Sequence, residues 1–218
     1  MDIDDILAEV DDSTIPQETR DLQELTRTWV NERSAPELLP WPAELMDRVL
    51  ERIRQQISLI EDRTSSTDPK SSFTLIILQT ELERFKYLTR SLLRARLAKI
   101  DAFPLHTLTH APTRALLSPS ELQYATTHTA ILHRHFQNAF LGQFPEGLRK
   151  MDDSSGGVNM VEGPDLEKAV FVRGRREAGV VIGGEGVGKE FLLGKGEVVV
   201  VRWGVVREVV GRGEAELI

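Results

Sequence analysis

From residue 20 to residue 145 apolar side chains recur every three or four positions, the period that gathers them on one face of a helix. Leu22, Leu25 and Trp29 stripe a first helix that stops near SAPELLPWP. A second starts at Pro42, whose fixed φ suits a first turn, and runs through Leu45, Val49, Ile53, Ile57 and Ile60. Ser71 or Ser72 can cap a third helix of about 30 residues, roughly 45 Å long at 1.5 Å per residue. Its apolar set begins at Leu75, Leu78, Leu82 and Phe85, continues through Leu88, Leu92, Leu97 and Ile100, and is widened by Ile76, Ile77 and Leu93. One neighbouring helix cannot cover that girth, so this helix is either the centre of its own domain or shared with another subunit. A connection holding Pro104 and Pro112 leads to SPSE, where Ser118 is the N-cap, Pro119 the first helical residue and Glu121 the reciprocal capping partner. The fourth helix carries Leu122, Ala125, Leu132, Phe136, Ala139 and Phe140.

Glycine then changes the texture of the chain. Fourteen of its sixteen copies lie after residue 150, and none precedes Gly142. Residues 146–164, which hold all of MDDSSGGVNMVEGPD but its last residue, read as a linker, being small, polar and without period. From residue 165 to residue 218, glycines separate short β-branched runs, AVFVR, GVVI, EFLL, EVVVVRW and a final AELI, which predict strands of a small antiparallel sheet or barrel. VVREVV, between Gly204 and Gly211, fits a strand or a helical turn. The fold class is therefore mostly α with a small β domain, an N-terminal helical bundle followed by an antiparallel β-rich module. Residues 1–19 precede both.

Those first residues carry the chain's whole charge imbalance. The net charge is −7, and residues 1–19 hold seven acids and no base. Residues 20–145 hold sixteen bases against fourteen acids, 146–164 two against four, and 165–218 nine of each. A near-neutral body with an acidic leading segment offers no basic patch that predicts tight DNA binding. Within that segment Ile3, Ile6, Leu7 and Val10 stand at i, i+3, i+4 and i+7, with Asp4, Asp5 and Glu9 between them. It is either the first helix of the domain behind it or a docking peptide. The absence of cysteine removes disulfides and thiolate metal sites and fits a reducing compartment. No apolar run approaches the roughly 20 residues of a membrane helix. The chain reads as soluble and intracellular.

Catalytic chemistry finds little support. GGEGVGKE, residues 183–190, matches the GxxxxGK part of a phosphate-binding loop but puts Glu190 where a magnesium-binding hydroxyl belongs. EFLLGKGEVVVV follows it instead of a helix, so a glycine-rich loop between strands explains the same letters. All five histidines lie between residues 106 and 135. His133 and His135 point to opposite sides of a helix, His128 and His135 sit about 10 Å apart, and His106 and His110 stand four apart in a proline-flanked connection. Solvated or capping roles account for them better than a metal. No nucleophile elbow, zinc helix or thiol dyad is present, so neither an enzyme nor a cofactor is expected. On the third helix Lys86, Arg90 and Arg94 form a basic stripe, with Arg96 and Lys99 on another side. The stripe reads as a solvated face partly neutralised by Glu83, as a contact for an acidic partner, or least readily as a phosphate contact.

WVNERSAPELLP, ELERFKYLTRSLLRARLAKID, LSPSELQYA, PDLEKAVFVR and the terminal AELI together resemble the Sld-five family of GINS subunits, in that family's order. The resemblance implies a helical A-domain and a small β-rich B-domain, and assembly with three paralogous subunits into a heterotetramer. It further implies that the tetramer joins the minichromosome-maintenance ring and its cell-division-cycle cofactor as the replicative CMG helicase in the nucleus. DNA would then be met only indirectly and a membrane not at all. The ring would hydrolyse ATP while this chain holds surfaces together. In fungal members the N-terminus resembles DDILAEV and docks on a trimeric adaptor hub. Here Ile3, Ile6, Leu7 and Val10 would fill its groove while Asp4, Asp5 and Glu9 meet a basic rim. Trp29, Leu38, Leu39, Trp41 and Leu92 would be core anchors or contacts with a sister subunit, and Leu217 and Ile218 the last B-domain strand. GVVIGGEGVGKEFLLGKGEVVVV is richer in glycine and valine than the family pattern.

Overall fold

The computed structural model describes residues 16–64, 69–151, 160–182 and 189–218. The acidic peptide with Ile3, Ile6, Leu7 and Val10 and the loop at 183–188 lie outside the described residues. Among the described residues six helices come first: α1 (Gln17–Ser34), α2 (Ala43–Thr64), α3 (Pro69–Ala102), the short α4 (Pro104–Thr109) and α5 (Ala111–Ala115), and α6 (Pro119–Ala139). Two 3-10 turns, Leu141–Gln143 and Glu146–Leu148, follow. Strands β1 (Ala169–Gly174), β2 (Ala178–Ile182), β3 (Lys189–Leu193) and β4 (Val198–Arg202) lead to helix α7 (Trp203–Gly211) and strand β5 (Ala215–Leu217). The fold is mostly helical, with a helical bundle first and a small antiparallel β region last.

Local chemistry accounts for the start of α6. Ser118 accepts the Glu121 N–H at 3.3 Å while the Glu121 carboxylate accepts the Ser118 N–H at 2.9 Å, the reciprocal box expected at the start of α6. Two expectations need correction, and one left open between strand and helical turn is decided. Helix α3 begins at Pro69, ahead of Ser71 and Ser72. The expected connection around Pro104 and Pro112 is two short helices, because both prolines fall in first turns, where a missing N–H costs nothing. VVREVV is helical: Trp203, Val206, Val209 and Val210 are buried at helical spacing, which a strand could not achieve.

The described residues divide into two compact units, those within 1–30 and 42–93, and those within 31–41 and 94–218. In the first, Leu25, Leu45, Met46, Val49, Leu82, Phe85 and Leu92 are buried. Arg48 pairs with Asp21 at 3.0 Å and Glu24 at 3.2 Å, Arg52 pairs with Glu18 at 2.6 Å, and the Gln56 side chain donates to the Leu78 carbonyl at 2.9 Å.

The second unit holds the β region. Its three-stranded sheet runs β4-β1-β5 and its two-stranded sheet β2-β3, all antiparallel. The pairs Ala169↔Arg202 and Ala178↔Leu193 obey one register, so β1 to β4 form a single long hairpin bent at residues 174–177 and 194–197. The bend requires glycine at position 174, where a Cβ would stand 2.3 Å from the Gly194 carbonyl oxygen, and the return turn uses Gly196 at φ 81°. Bending lets both halves close on α7. Val170, Val172, Val180 and Leu193 bury against Trp203, Val206 and Val209, with Ala35 from the end of α1 completing the core. A second cluster joins Leu38, Ile100 and Ala125.

Candidate functional site

Among the described residues Arg96, a fully buried guanidinium, makes a dense set of polar contacts. Its Nε donates to Glu121 Oε1 at 2.6 Å and one terminal nitrogen to Glu121 Oε2 at 3.1 Å, a two-point grip on one carboxylate. That nitrogen also donates to the Leu116 carbonyl at 3.1 Å. The other donates to Glu32 Oε2 at 2.9 Å and the Leu39 carbonyl at 2.8 Å. Trp41 lies beneath the guanidinium at 5.3 Å. Arginine has five N–H groups, and each has an acceptor here. Lys99 completes the network, donating to Glu32 Oε1 and to the Glu37 carbonyl, both at 2.7 Å. Two cations thus face two carboxylates.

Burial is the largest influence on Arg96 and opposes its charge, yet Glu121 and Glu32 hold its pKa above the ordinary arginine value. For Lys99 burial wins, and its pKa falls below the ordinary lysine value despite Glu32. Arg96 has no donor left for a substrate. The arrangement fastens chain segments, and its reach extends into the β region through residues 31–41. Trp203 Nε1 donates to Glu37 Oε1 at 2.9 Å, and the Leu217 N–H donates to Asn31 Oδ1 at 2.7 Å. The segment joining α1 to α2 therefore clasps the ends of α3 and α6 on one side and the β region on the other.

The anchors expected from sequence take different places. Leu92 is fully buried, Leu38 sits in the cluster with Ile100, and Leu39 packs against the β-region core. Trp41 stacks on Arg96, while Trp29 is half-buried and meets Tyr87 edge-on at 6.3 Å. Leu217 is buried in β5, but Ile218 lies beyond the strand and is 49% exposed, tied back by its N–H to the Phe171 carbonyl at 3.2 Å. Lys86 pairs with Glu83 at 3.1 Å, and Arg90 and Arg94 are exposed. Arg96 and Lys99, read from sequence as merely another side of α3, are the buried centre. Lys189 opens strand β3 instead of a helix, which removes the structural context a phosphate-binding loop requires.

The N-terminal half of α3 leaves a different feature uncovered. Phe73, Ile76, Ile77 and Tyr87 stand exposed, Phe73 at 68%. Ile76, Thr80 and Tyr87 join Leu22 and Thr26 of α1 in lining a mainly apolar groove of about 710 Å³. Among the described residues no three His, Cys, Asp or Glu side chains come together in a metal-ligating group. His106 and His110 stack at 4.9 Å, and His128 Nδ1 lies 3.3 Å from Asp101. Burial first, and the neighbouring His110 second, hold the His106 pKa below 6.5. The unfolded chain therefore binds this proton more readily, so stability is lost as pH falls from 6.5 through the folded value. Urea unfolding between pH 8 and pH 5.5 should show this slope, and His106→Gln should flatten it.

The family model described as "GINS complex protein helical bundle domain" matches residues 49–140, and that described as "DNA replication complex GINS protein SLD5 C-terminus" matches residues 164–218. Over the full length of both chains the sequence is 50% identical to a Chaetomium globosum protein named DNA replication complex GINS protein SLD5. A Schizosaccharomyces pombe protein of the same name is 34% identical, with all of this chain and 99% of the relative aligned. One from Yarrowia lipolytica is 36% identical, covering all of this chain and 85% of the relative.

Proposed function

The chain belongs to the SLD5 family of GINS proteins, and from that membership we propose that it is a non-catalytic structural subunit of the GINS heterotetramer, acting in the nucleus within the replicative CMG helicase. The family match across both the helical and the β-rich parts carries this reading. A GINS complex requires further subunits, and the proposal assigns this chain three paralogous partners. Residues 20–145 serve as the A-domain that assembles, 146–164 as the linker and 165–218 as the B-domain. The ring supplies ATP hydrolysis, and DNA is reached only through the assembly.

Two observations support an assembling role over a self-sufficient one. The interior polar network is satisfied by its own members, and its groups fasten segments of the chain to one another. The apolar face of α3 at Phe73, Ile76, Ile77 and Tyr87 has no cover among the described residues, and a helix of a sister subunit laid along it would remove that surface from water. Arg90 and Arg94 remain available to an acidic surface of the ring or its cell-division-cycle cofactor. Residues 1–12 dock on the trimeric adaptor hub, with Ile3, Ile6, Leu7 and Val10 in the groove and Asp4, Asp5 and Glu9 at its rim, and DDSTIPQET, residues 11–19, acts as the tether that leads into α1. That assignment rests on the amphipathic spacing and on the concentration of acid there.

Co-expression with the three paralogues tests the reading. A stoichiometric four-chain complex is expected by size-exclusion chromatography with light scattering, and a chain that elutes alone would refute it. In the same preparation, deleting residues 1–12 should abolish hub binding and leave the tetramer intact. Loss of the tetramer on that deletion would refute the tether assignment.

A further inference from the structure

Among the described residues strand β4 is an edge, and apart from the charge of Arg202 at its end it lacks the usual guards of one. Antiparallel register fixes which of its backbone groups are free. Trp203 N–H bonds to the Lys168 carbonyl at 2.9 Å and Gly174 N–H to the Glu197 carbonyl at 3.0 Å, so residues 197, 199, 201 and 203 direct their N–H and C=O toward β1. Val198, Val200 and Arg202 therefore direct theirs away from the sheet. Among the described residues β4 pairs with β1 alone. Natural edges are blunted by proline, inward charge or a bulge. The run Val198–Val201 has none of these.

The side chains point the same way. Val198 and Val200 are 51% and 56% exposed, and Phe171, directly opposite Val200 on β1, is 58% exposed. Ile218 lies on the far side of Phe171, so an apolar row crosses the outer face of the sheet and ends at the open edge. Its charged flanks are already neutralised, Arg173 by Glu216 and Arg202 by Glu167. A strongly acidic or basic ligand finds no uncompensated charge here, while a short apolar strand finds both free backbone and apolar neighbours.

We propose that the β4 edge accepts an extended, uncharged apolar segment from another subunit of the complex, which adds a fourth strand next to Val198, Val200 and Arg202. A second copy of this chain is the competing occupant, since Val198 of one copy can pair with Val200 of another in an antiparallel register, and its signature is protection of the chain alone that grows with concentration. The inference rests on the GINS reading, and the test separates the two.

Residue-resolved hydrogen exchange is measured on the full chain alone and in the co-expressed four-subunit complex. Strand addition should slow the amides of Val198, Val200 and Arg202 by about tenfold or more in the complex. Those of Val199 and Val201, already bonded to β1, should change little. Val200→Lys, at an exposed position, should leave the isolated chain's melting unchanged and remove the added protection. A complex that forms with no change at the alternate amides overturns the inference and leaves the GINS reading standing. No complex overturns both. Protection in the chain alone that grows with its concentration identifies a second copy as the occupant and overturns the proposal. Protection in the chain alone that does not depend on concentration places the cover within the chain and overturns it equally.

Discussion

Replacing Arg96 with methionine should destabilise the protein by about 3–5 kcal/mol, because removal of one partner from a buried ion pair strands the other. Two carboxylates are stranded here. Glu121 keeps only the Ser118 N–H, and Glu32 keeps only Lys99, whose own pKa burial already depresses. The carbonyls of Leu39 and Leu116 lose their donor as well. For a chain of this size the loss corresponds to a fall in melting temperature of roughly 10 °C. Arg96→Lys should recover little, since one ammonium cannot place five donors in a plane. Neutralising the acids together with the arginine, as Arg96→Met with Glu32→Gln and Glu121→Gln, should recover part of the loss, because the cost lies in unpaired charge more than in the absent bonds. Thermal and urea unfolding of the three variants measures this directly. If Arg96→Met unfolds within about 1 kcal/mol of the wild type, the network is not a determinant of stability.

Arg96 also marks the limit of what the amino-acid sequence makes legible. The capping box of Ser118 and Glu121 is readable because its partners stand three residues apart and satisfy each other locally. The helices of residues 17–139 follow for the same reason, from a period that burial imposes on neighbours in sequence. The partners of Arg96 lie 64 and 25 residues away, and no local rule joins them. A signal exists nonetheless: Phe85, Leu92, Arg96 and Ile100 fall on one line of the helix, so a charge stands within an apolar stripe. Such a charge is buried only with partners, which makes its burial a prediction of carboxylates elsewhere. VVREVV is undecidable for a different reason. Valine at every available position suits either period, and only the packing of Trp203 and Val206 against both halves of the bent hairpin selects the helix. The bend in that hairpin depends on the close approach of Gly174 to Gly194, which appears in sequence only as two glycines among many.

The second large effect belongs to Trp203, the largest fully buried side chain. Trp203→Ala should cost about 3–5 kcal/mol, the range for deleting a large aromatic from a packed core. The β region is small, and this loss falls on the residue that starts α7, fills the space between the bent sheet and the helix, and reaches Glu37. Its unfolding should therefore precede that of the helices, seen as early proteolysis after residue 164 and as loss of amide protection in β1 and β5. Trp203→Phe separates the two contributions. The ring keeps most of the packing while the Glu37 carboxylate loses its donor, so a cost near 1–2 kcal/mol is expected. Glu37→Gln retains an acceptor for the indole N–H and should be nearly silent. If Trp203→Phe proves as damaging as Trp203→Ala, the hydrogen bond to residues 31–41, and not the packed core, is what keeps the β region folded.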